Sequence, residues 1–116
     1  RGLHMQSPPY SEAKIVRCLK GKAWDVAVDL RLHSETYTKW CAVELSPDKC
    51  NAMFIPEGFA HGFQVLEANT QLMYIHSGQW IKHSETGARW DDPKLNIRWP
   101  LSLTEISNKD KSFKYL

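Results

Sequence analysis

The chain has 116 residues, 42% of them hydrophobic, which is enough for the core of one domain and argues against two. Charged residues make up 24% and the formal net charge is only +2, so the composition argues against a polybasic nucleic-acid surface and an acidic disordered tail. No stretch approaches the roughly 20 apolar residues that cross a bilayer. We therefore expect neither nucleic acid nor membrane as a partner.

The number and spacing of the cysteines exclude further classes of protein. The three cysteines, Cys18, Cys41 and Cys50, are an odd number and contain no Cys-x-x-Cys pair. This pattern argues against a disulfide framework and against a zinc site built from thiolates. We therefore expect a reducing, cytoplasmic location.

Apolar residues recur with the period of two that is typical of half-buried strands, and helical periodicity is scarce. The segment 23–30 is the clearest case, because Trp24, Val26 and Val28 fall on one face and Asp25 and Ala27 on the other. The predicted strands, in chain order, are 14–19, 23–30, 40–45, 52–55, 62–66, 71–75 and 96–99.

Turn residues separate these strands, and no segment between them suits a crossover helix, so the pattern predicts a small antiparallel barrel or sandwich. The polar segment 103–116 predicts a short helix or turn, capped by Thr104, Ser107 or Asn108.

The segment 56–63, PEGFAHGF, has the Pro-x-Gly-x-x-His spacing of the second half of a cupin signature. The glycine permits a tight turn, after which His61 would point into the barrel. Metal-binding cupins complete their site with a His-x-His cluster and an acidic residue. No such cluster exists here, because the other histidines are scattered, and we therefore expect no bound metal.

Six motifs resemble, in order, those of the dTDP-4-dehydrorhamnose 3,5-epimerase family. They are RGLH (1–4) with Gln6, KIVRC (14–18), DVAVDLR (25–31), IPEGFAHGF (55–63), WDDP (90–93) and SNKD (107–110). The resemblance implies a cupin-like, jelly-roll antiparallel β-barrel. It also implies an isomerase that inverts C3, C5 or both in a dTDP-linked 4-keto-6-deoxy-hexose, without a cofactor, on the route to dTDP-L-rhamnose or a related deoxysugar.

The family's reaction needs a base, a stabiliser for the enolate and an acid on the opposite face of the sugar. By resemblance His4 is the base, Asp110 is the carboxylate that orients it, and Tyr74 is the acid. Without the flanking motif, His4 would be interpreted as an exposed histidine near a chain end. Tyr74 has the alternative of a core or rim tyrosine.

Further residues match substrate-binding positions of the family. Lys14 corresponds to the lysine near the keto oxygen, and Asp25 with His61 to a carboxylate–imidazole pair in the site. This pair has the equally weighted alternative of serving only the fold.

Three more matches concern the nucleotide. Arg1 and Gln6 resemble residues that hold the diphosphate and the sugar, and an arginine suits phosphate because its planar fork donates two parallel hydrogen bonds. Trp80 falls where an aromatic residue stacks on the nucleotide base, with a core or interface role as the alternative.

Assembly is a further expectation. In the resembling family a segment before RGLH contacts the nucleotide and builds a two-fold dimer, and we expect that segment to lie outside this chain. The aromatics Trp24, Trp40 and Trp99 together with an open sheet edge predict uncovered apolar surface, and hence a homodimer.

Two other functions remain open from the sequence. A non-catalytic sugar-nucleotide-binding or structural cupin would keep the fold, but it would not need His4, Tyr74 and Asp110 together. A metal cupin, such as a dioxygenase, would need the ligand cluster that is missing.

Overall fold

The computed structural model describes residues 1–116 and is mainly β, as the sequence predicts. It has eight strands, a 3₁₀ turn at Lys82–Ser84 and one helix, α1, at Asn108–Ser112. The strands are β1 His4–Gln6, β2 Lys14–Lys20, β3 Ala23–Asp29, β4 Trp40–Leu45, β5 Ala52–Ile55, β6 Phe59–Val65, β7 Gln71–His76 and β8 Glu85–Gly87.

The strands form two antiparallel sheets that face each other. The larger sheet has the order β4-β3-β6-β1-β8, and the smaller has the order β5-β2-β7. This arrangement is the jelly-roll, cupin-like barrel that the resemblance implies, and the prediction of fold class is confirmed.

Most strand predictions agree with the structure to within a residue, with two kinds of exception. The predicted strand 62–66 begins earlier, at Phe59, and the predicted strand 96–99 is wrong. There Asn96 adopts a φ of 49°, which breaks the extended backbone, and Trp99 packs against the sheet instead of pairing with it. Strands β1 and β8 were not predicted, because three residues are too few to show an alternating pattern.

Strand β3 is buried on both faces, whereas its pattern predicted a half-buried strand. Its Val26 and Val28 pack outward with Leu3, beneath the C-terminal half of the chain. Its Ala27 packs inward with Leu45 and the residues of β2 and β5. The face that carries Asp25 and Ala27 is therefore the barrel interior, where Asp25 is completely buried.

The predicted uncovered surface at the tryptophans is also wrong. Trp24 packs against Trp40 and Trp99, with ring centroids 6.0 and 5.3 Å away, and all three are half-buried. Two of the indole N–H groups bond to the C-terminal segment that covers them: Trp40 donates to Leu95 O, and Trp99 donates to Trp90 O. The segment 88–99 thus covers much of the outer face of the larger sheet.

The predicted C-terminal helix is confirmed as α1. Ser107 caps it by accepting a hydrogen bond from Asp110 N at 3.1 Å, which is the role foreseen for it among three candidates. None of the helices is long and apolar enough to cross a membrane.

Candidate active site

A cavity of about 400 Å³ opens between the two sheets and collects most of the predicted site residues. Seven of the nine line it: Arg1, His4, Gln6, Lys14, His61, Tyr74 and Trp80. The other two, Asp110 and Asp25, lie behind the wall and bind His4 and His61. The structure therefore gathers all nine residues at one place.

His4 and Asp110 form a buried pair that joins β1 to α1. His4 Nε2 lies 2.5 Å from Asp110 Oδ1, and Gly2 N donates to Asp110 Oδ2 at 3.0 Å. Since an ionised carboxylate only accepts, His4 Nε2 carries the hydrogen and Nδ1 keeps the lone pair. The arrangement presents a basic nitrogen while fixing the orientation of its ring.

Two glycines make this pairing possible. A Cβ at Gly2 would lie 2.6 Å from Gly62 Cα, and one at Gly62 would lie 2.7 Å from Arg1 O. The backbones of the RGLH and HGF motifs therefore cross at a distance that excludes any larger residue. This close crossing holds His4 beside the inner face of the sheet.

The electrostatics favour a neutral base beside an ionised carboxylate. Burial lowers the pKa of His4, and it outweighs the opposing effect of the Asp110 hydrogen bond and charge. Burial alone would raise the pKa of Asp110, but hydrogen bonds from Gly2 and His4 hold it below its ordinary value. The imidazole is thus ready to accept a proton near neutral pH.

Asp25 and His61 form the second pair, deep in the barrel. His61 Nε2 lies 2.7 Å from Asp25 Oδ1, and both residues are buried. They project from the neighbouring strands β3 and β6. Asp25 Oδ2 has no hydrogen-bond partner in the protein, an unusual condition for a buried carboxylate.

Tyr74 lies on the opposite sheet from His4, on β7. Its ring is 5.6 Å from His61, edge to face, and it is mostly buried. Burial raises the pKa of Tyr74 far above its ordinary value, and the charge of Asp25 adds to that rise. The phenol therefore keeps its proton until a strongly basic group takes it.

Lys14 is buried at the start of β2, facing Glu12. Its Nζ is 3.9 Å from Glu12 Oε1. Burial lowers the pKa of Lys14, and the charge of Glu12 opposes that change. A cation with so few protein partners is available to a ligand oxygen in the cavity.

The nucleotide-binding candidates differ in how free their side chains are. Gln6 donates to the carbonyls of Tyr10 and Gln79 and accepts from Ile81 N, so its amide ties loops together and retains one acceptor site. Arg1 is exposed at the cavity edge. Trp80 is 63% exposed at the mouth, where its aromatic face is accessible to a planar ligand.

Sequence reasoning missed four polar residues in or beside the cavity: Glu12, His76, Glu85 and Lys109. Glu85 accepts from Trp80 Nε1 at 3.2 Å and pairs with Lys109, and its Oε1 is 3.7 Å from His4 Nδ1. Lys109 lies inside the SNKD motif (107–110), so that motif could have identified it as a residue near the site. The others lie at positions whose pairing only the sheet register reveals.

Two further observations define the surroundings. No three histidine, cysteine or carboxylate residues converge as a metal site. A larger cavity of about 840 Å³ lies between β6 and the segment 99–107, but of the predicted residues it contains only Arg1 and Asp110. Most of the predicted site residues therefore line the smaller cavity.

Comparison with known proteins identifies the family of the chain. The family model described as dTDP-4-dehydrorhamnose 3,5-epimerase matches residues 1–116. A protein of that name from Sinorhizobium fredii is 43% identical over 113 residues, which cover 97% of this chain and 58% of the relative. The chain thus spans somewhat more than half the length of that relative.

Solved structures show the same likeness. The dTDP-4-dehydrorhamnose 3,5-epimerase of Elizabethkingia anophelis superposes with a TM-score of 0.96 at 39% identity, covering 99% of this chain and 64% of that one. The Legionella pneumophila enzyme RmlC, solved with dTDP-4-keto-L-rhamnose, gives 0.94 at 41% identity, covering 99% and 61%. The chain therefore belongs to the dTDP-4-dehydrorhamnose 3,5-epimerase family.

Proposed function

We propose that the chain epimerises a dTDP-linked 4-keto-6-deoxy-hexose at C3, C5 or both, in the formation of dTDP-L-rhamnose or a related deoxysugar. One observation carries the proposal. The buried His4–Asp110 pair and Tyr74 reach the same cavity from opposite sheets, as inversion by a base and an acid on opposite faces requires.

The reaction follows from the positions of these groups. His4 Nδ1 takes a proton from a carbon next to the C4 ketone, and Asp110 stabilises the imidazolium that results. Lys14 supplies positive charge near the ketone oxygen, where the enolate develops. Tyr74 then delivers a proton to the other face of the same carbon. The ketone acidifies both neighbouring C–H bonds, so the proposal includes no cofactor.

The remaining residues bind the substrate in this proposal. Arg1 contacts the diphosphate, Gln6 contacts the sugar through its free acceptor site, and Trp80 stacks on the nucleotide base. The His61–Asp25 pair supports the sugar side of the cavity. Free thiols, two of them exposed, suit a reducing compartment, and we include a cytoplasmic location in the proposal.

Solvent deuterium exchange, followed by NMR on dTDP-4-keto-6-deoxyglucose, tests this function. The epimerase should incorporate deuterium next to the ketone, and the number of labelled carbons distinguishes one inversion from two. A non-catalytic sugar-nucleotide-binding or structural cupin would bind the compound and label neither carbon.

For Tyr74→Phe we expect exchange at the carbon facing His4 to persist while the inverted product falls about 10²-fold, because only the donor on the other face is lost. Product analysis and deuterium content, measured on the same samples, separate the two steps. Tyr115→Phe, at an exposed tyrosine, is the matched control. Equal loss of exchange and inversion would assign Tyr74 a different role.

We also propose a homodimer, on a different surface from the one that the tryptophans suggested. Ile15 pairs in register with Phe54 on one side and Ile75 on the other, and all three side chains are exposed on the outer face of the smaller sheet. Exposed Leu19 and Met73 extend this apolar surface. Light scattering should give twice the mass of one chain, and Phe54→Asp should yield monomers.

A further inference from the structure

Inversion by two groups leaves a proton imbalance in the site. After one inversion His4 carries an extra proton and Tyr74 lacks one, so both must be reset before the next. The phenolate of Tyr74 is mostly buried, which limits its direct contact with water. A titratable group that reaches both the phenolate and the solvent would shorten this step.

Two imidazoles lie beside Tyr74, and they differ in access to solvent. His61 is 5.6 Å away between ring centroids, but it is buried and its Nε2 is bonded to Asp25. His76 is 5.9 Å away, edge to face, and 39% of its side chain is exposed. Both line the cavity, but of the two imidazoles only His76 is exposed to solvent.

Glu12 holds His76 in this position. The end of the β2–β7 ladder aligns Lys14 with His76, and Glu12 lies two residues before Lys14. His76 Nδ1 is 3.2 Å from Glu12 Oε1, while Glu12 is itself buried and its Oε2 has no partner. With Nδ1 directed to the carboxylate, the ring's Nε2 is left free for proton exchange.

We propose that His76, oriented by Glu12, returns a proton to Tyr74 after each inversion. The N–H bond of the imidazolium breaks, the proton forms the O–H bond of the phenol, and the neutral imidazole takes a proton from solvent water or hydronium. The two rings are adjacent, with centroids 5.9 Å apart, and the proposed transfer is direct or through one water. The inference rests on the proposed epimerase function and on Tyr74 as its acid.

The energetics of the cavity support this direction of transfer. Burial and the charge of Asp25 raise the pKa of Tyr74, so its phenolate is a strong base toward an imidazolium. The charged and titratable groups that contact or neighbour His76 are Glu12, Lys14 and Tyr74. Glu12 Oε1 lies 3.2 Å from His76 Nδ1 and 3.9 Å from Lys14 Nζ, so the same carboxylate oxygen faces both groups.

The test compares the first turnover with later ones, using His76→Gln and dTDP-4-keto-6-deoxyglucose under rapid quench. Tyr74 begins protonated, so the first inversion needs no relay and should proceed at the wild-type rate. Later turnovers should slow about tenfold, giving a burst of one inversion per site. His33→Gln, at an exposed loop histidine, should show the kinetics of the unaltered chain.

Two further variants make the result decisive. His76→Ala should regain steady-state turnover when imidazole is added, whereas Tyr74→Phe should not. Glu12→Gln should keep the first turnover and slow the later ones less than His76→Gln. A His76 variant with unaltered steady state, or with first and later turnovers reduced equally, would overturn the proposal, as would His76→Ala that imidazole does not rescue.

Failure of the proposed function gives a different result. If the unaltered chain exchanges no deuterium, the epimerase assignment itself fails, before any variant is compared. If the unaltered chain is active and the His76 variants match it, only the relay is wrong.

Discussion

The two imidazole–carboxylate pairs of the cavity differ in how the carboxylate is held. Both oxygens of Asp110 are bonded, one to His4 and one to Gly2 N. Only one oxygen of Asp25 is bonded, to His61, although Asp25 is completely buried. A fully bonded carboxylate fixes its imidazole as a base, whereas a half-bonded one leaves an uncompensated charge whose field acts on its neighbours.

The charge of Asp25 acts on Tyr74. Burial raises the pKa of Tyr74, the acid of the proposed reaction, and the charge of Asp25 adds to that rise, while Asp110 acts on His4, the proposed base. In the proposed reaction the two pairs therefore act on opposite faces of the sugar. Substitutions at matched positions in the two pairs test this division.

The largest expected difference is between the two histidines. His4→Asn should reduce deuterium exchange about 10²–10⁴-fold, because it removes the proposed base for the first proton. His61→Asn should retain exchange and lose mainly inverted product, through its contact with Tyr74. NMR exchange rates for both variants, with circular dichroism to verify folding, measure the difference. Equal losses of exchange would remove the distinction between the pairs.

Asp110→Asn should be severe without being complete. An amide misorients the base and stabilises its protonated form less well, so we expect exchange to fall on the order of 10²-fold, less than for His4→Asn. Asp25→Asn should leave the exchange step nearly unchanged, because Asp25 does not contact His4. Steady-state exchange at saturating substrate checks both. A larger loss for Asp25→Asn would reverse the roles of the pairs.

The two carboxylates should also differ in their contribution to stability, and the loss of Asp110 should be the more destabilising. In Asp110→Asn a neutral amide replaces the carboxylate, so either one donor loses its partner or His4 moves its hydrogen to Nδ1. Since hydrogen bonds to a charged group are lost in both cases, we expect unfolding free energy to fall by about 1–3 kcal/mol. In Asp25→Asn the amide oxygen can still accept from His61, and a buried charge disappears, so stability should not fall. Denaturant unfolding measures both variants. An unchanged Asp110→Asn midpoint would contradict this account of its bonding.

The sequence predicted the barrel well because its long strands alternate clearly, as β2, β3 and β7 do. It failed where local pattern carries no information. The three-residue strand β1 forms because it pairs with β6 and β8, and β8 forms because it pairs with β1. The pattern of the segment 96–99 predicts a strand, but Trp99 packs on the outer face of the larger sheet instead. Both outcomes depend on contacts between residues that are far apart in the sequence, and a short local pattern does not show such contacts.

The site shows the same division. Motif resemblance supplied His4, Asp110 and Tyr74, which the structure gathers around one cavity, but spacing alone would not have joined residues 106 positions apart. It missed Glu12 and His76, because each is an ordinary polar residue until the β2–β7 register brings them together. The half-bonded state of Asp25 was likewise invisible, since hydrogen-bond satisfaction is a property of the folded core.

The smallest effect concerns pH. Burial lowers the pKa of His4 although Asp110 acts to raise it, so the imidazole should stay neutral at pH values below its ordinary pKa of 6.5. The acid limb of kcat/KM should therefore lie below pH 6.5. Asp110→Asn removes the raising influence and keeps the burial, so its acid limb should move to still lower pH. Asp25 is not among the groups that shift His4, and Asp25→Asn should leave the limb in place.

Exchange assays across this range, restricted to pH values at which circular dichroism shows a folded protein, measure the three profiles. A limb that rises in Asp110→Asn would mean that the carboxylate acts on His4 otherwise than by its charge and hydrogen bond. A limb that moves in Asp25→Asn would couple the two pairs through the cavity. The assignment of one carboxylate to the base and the other to the acid would then give way to a single four-group network.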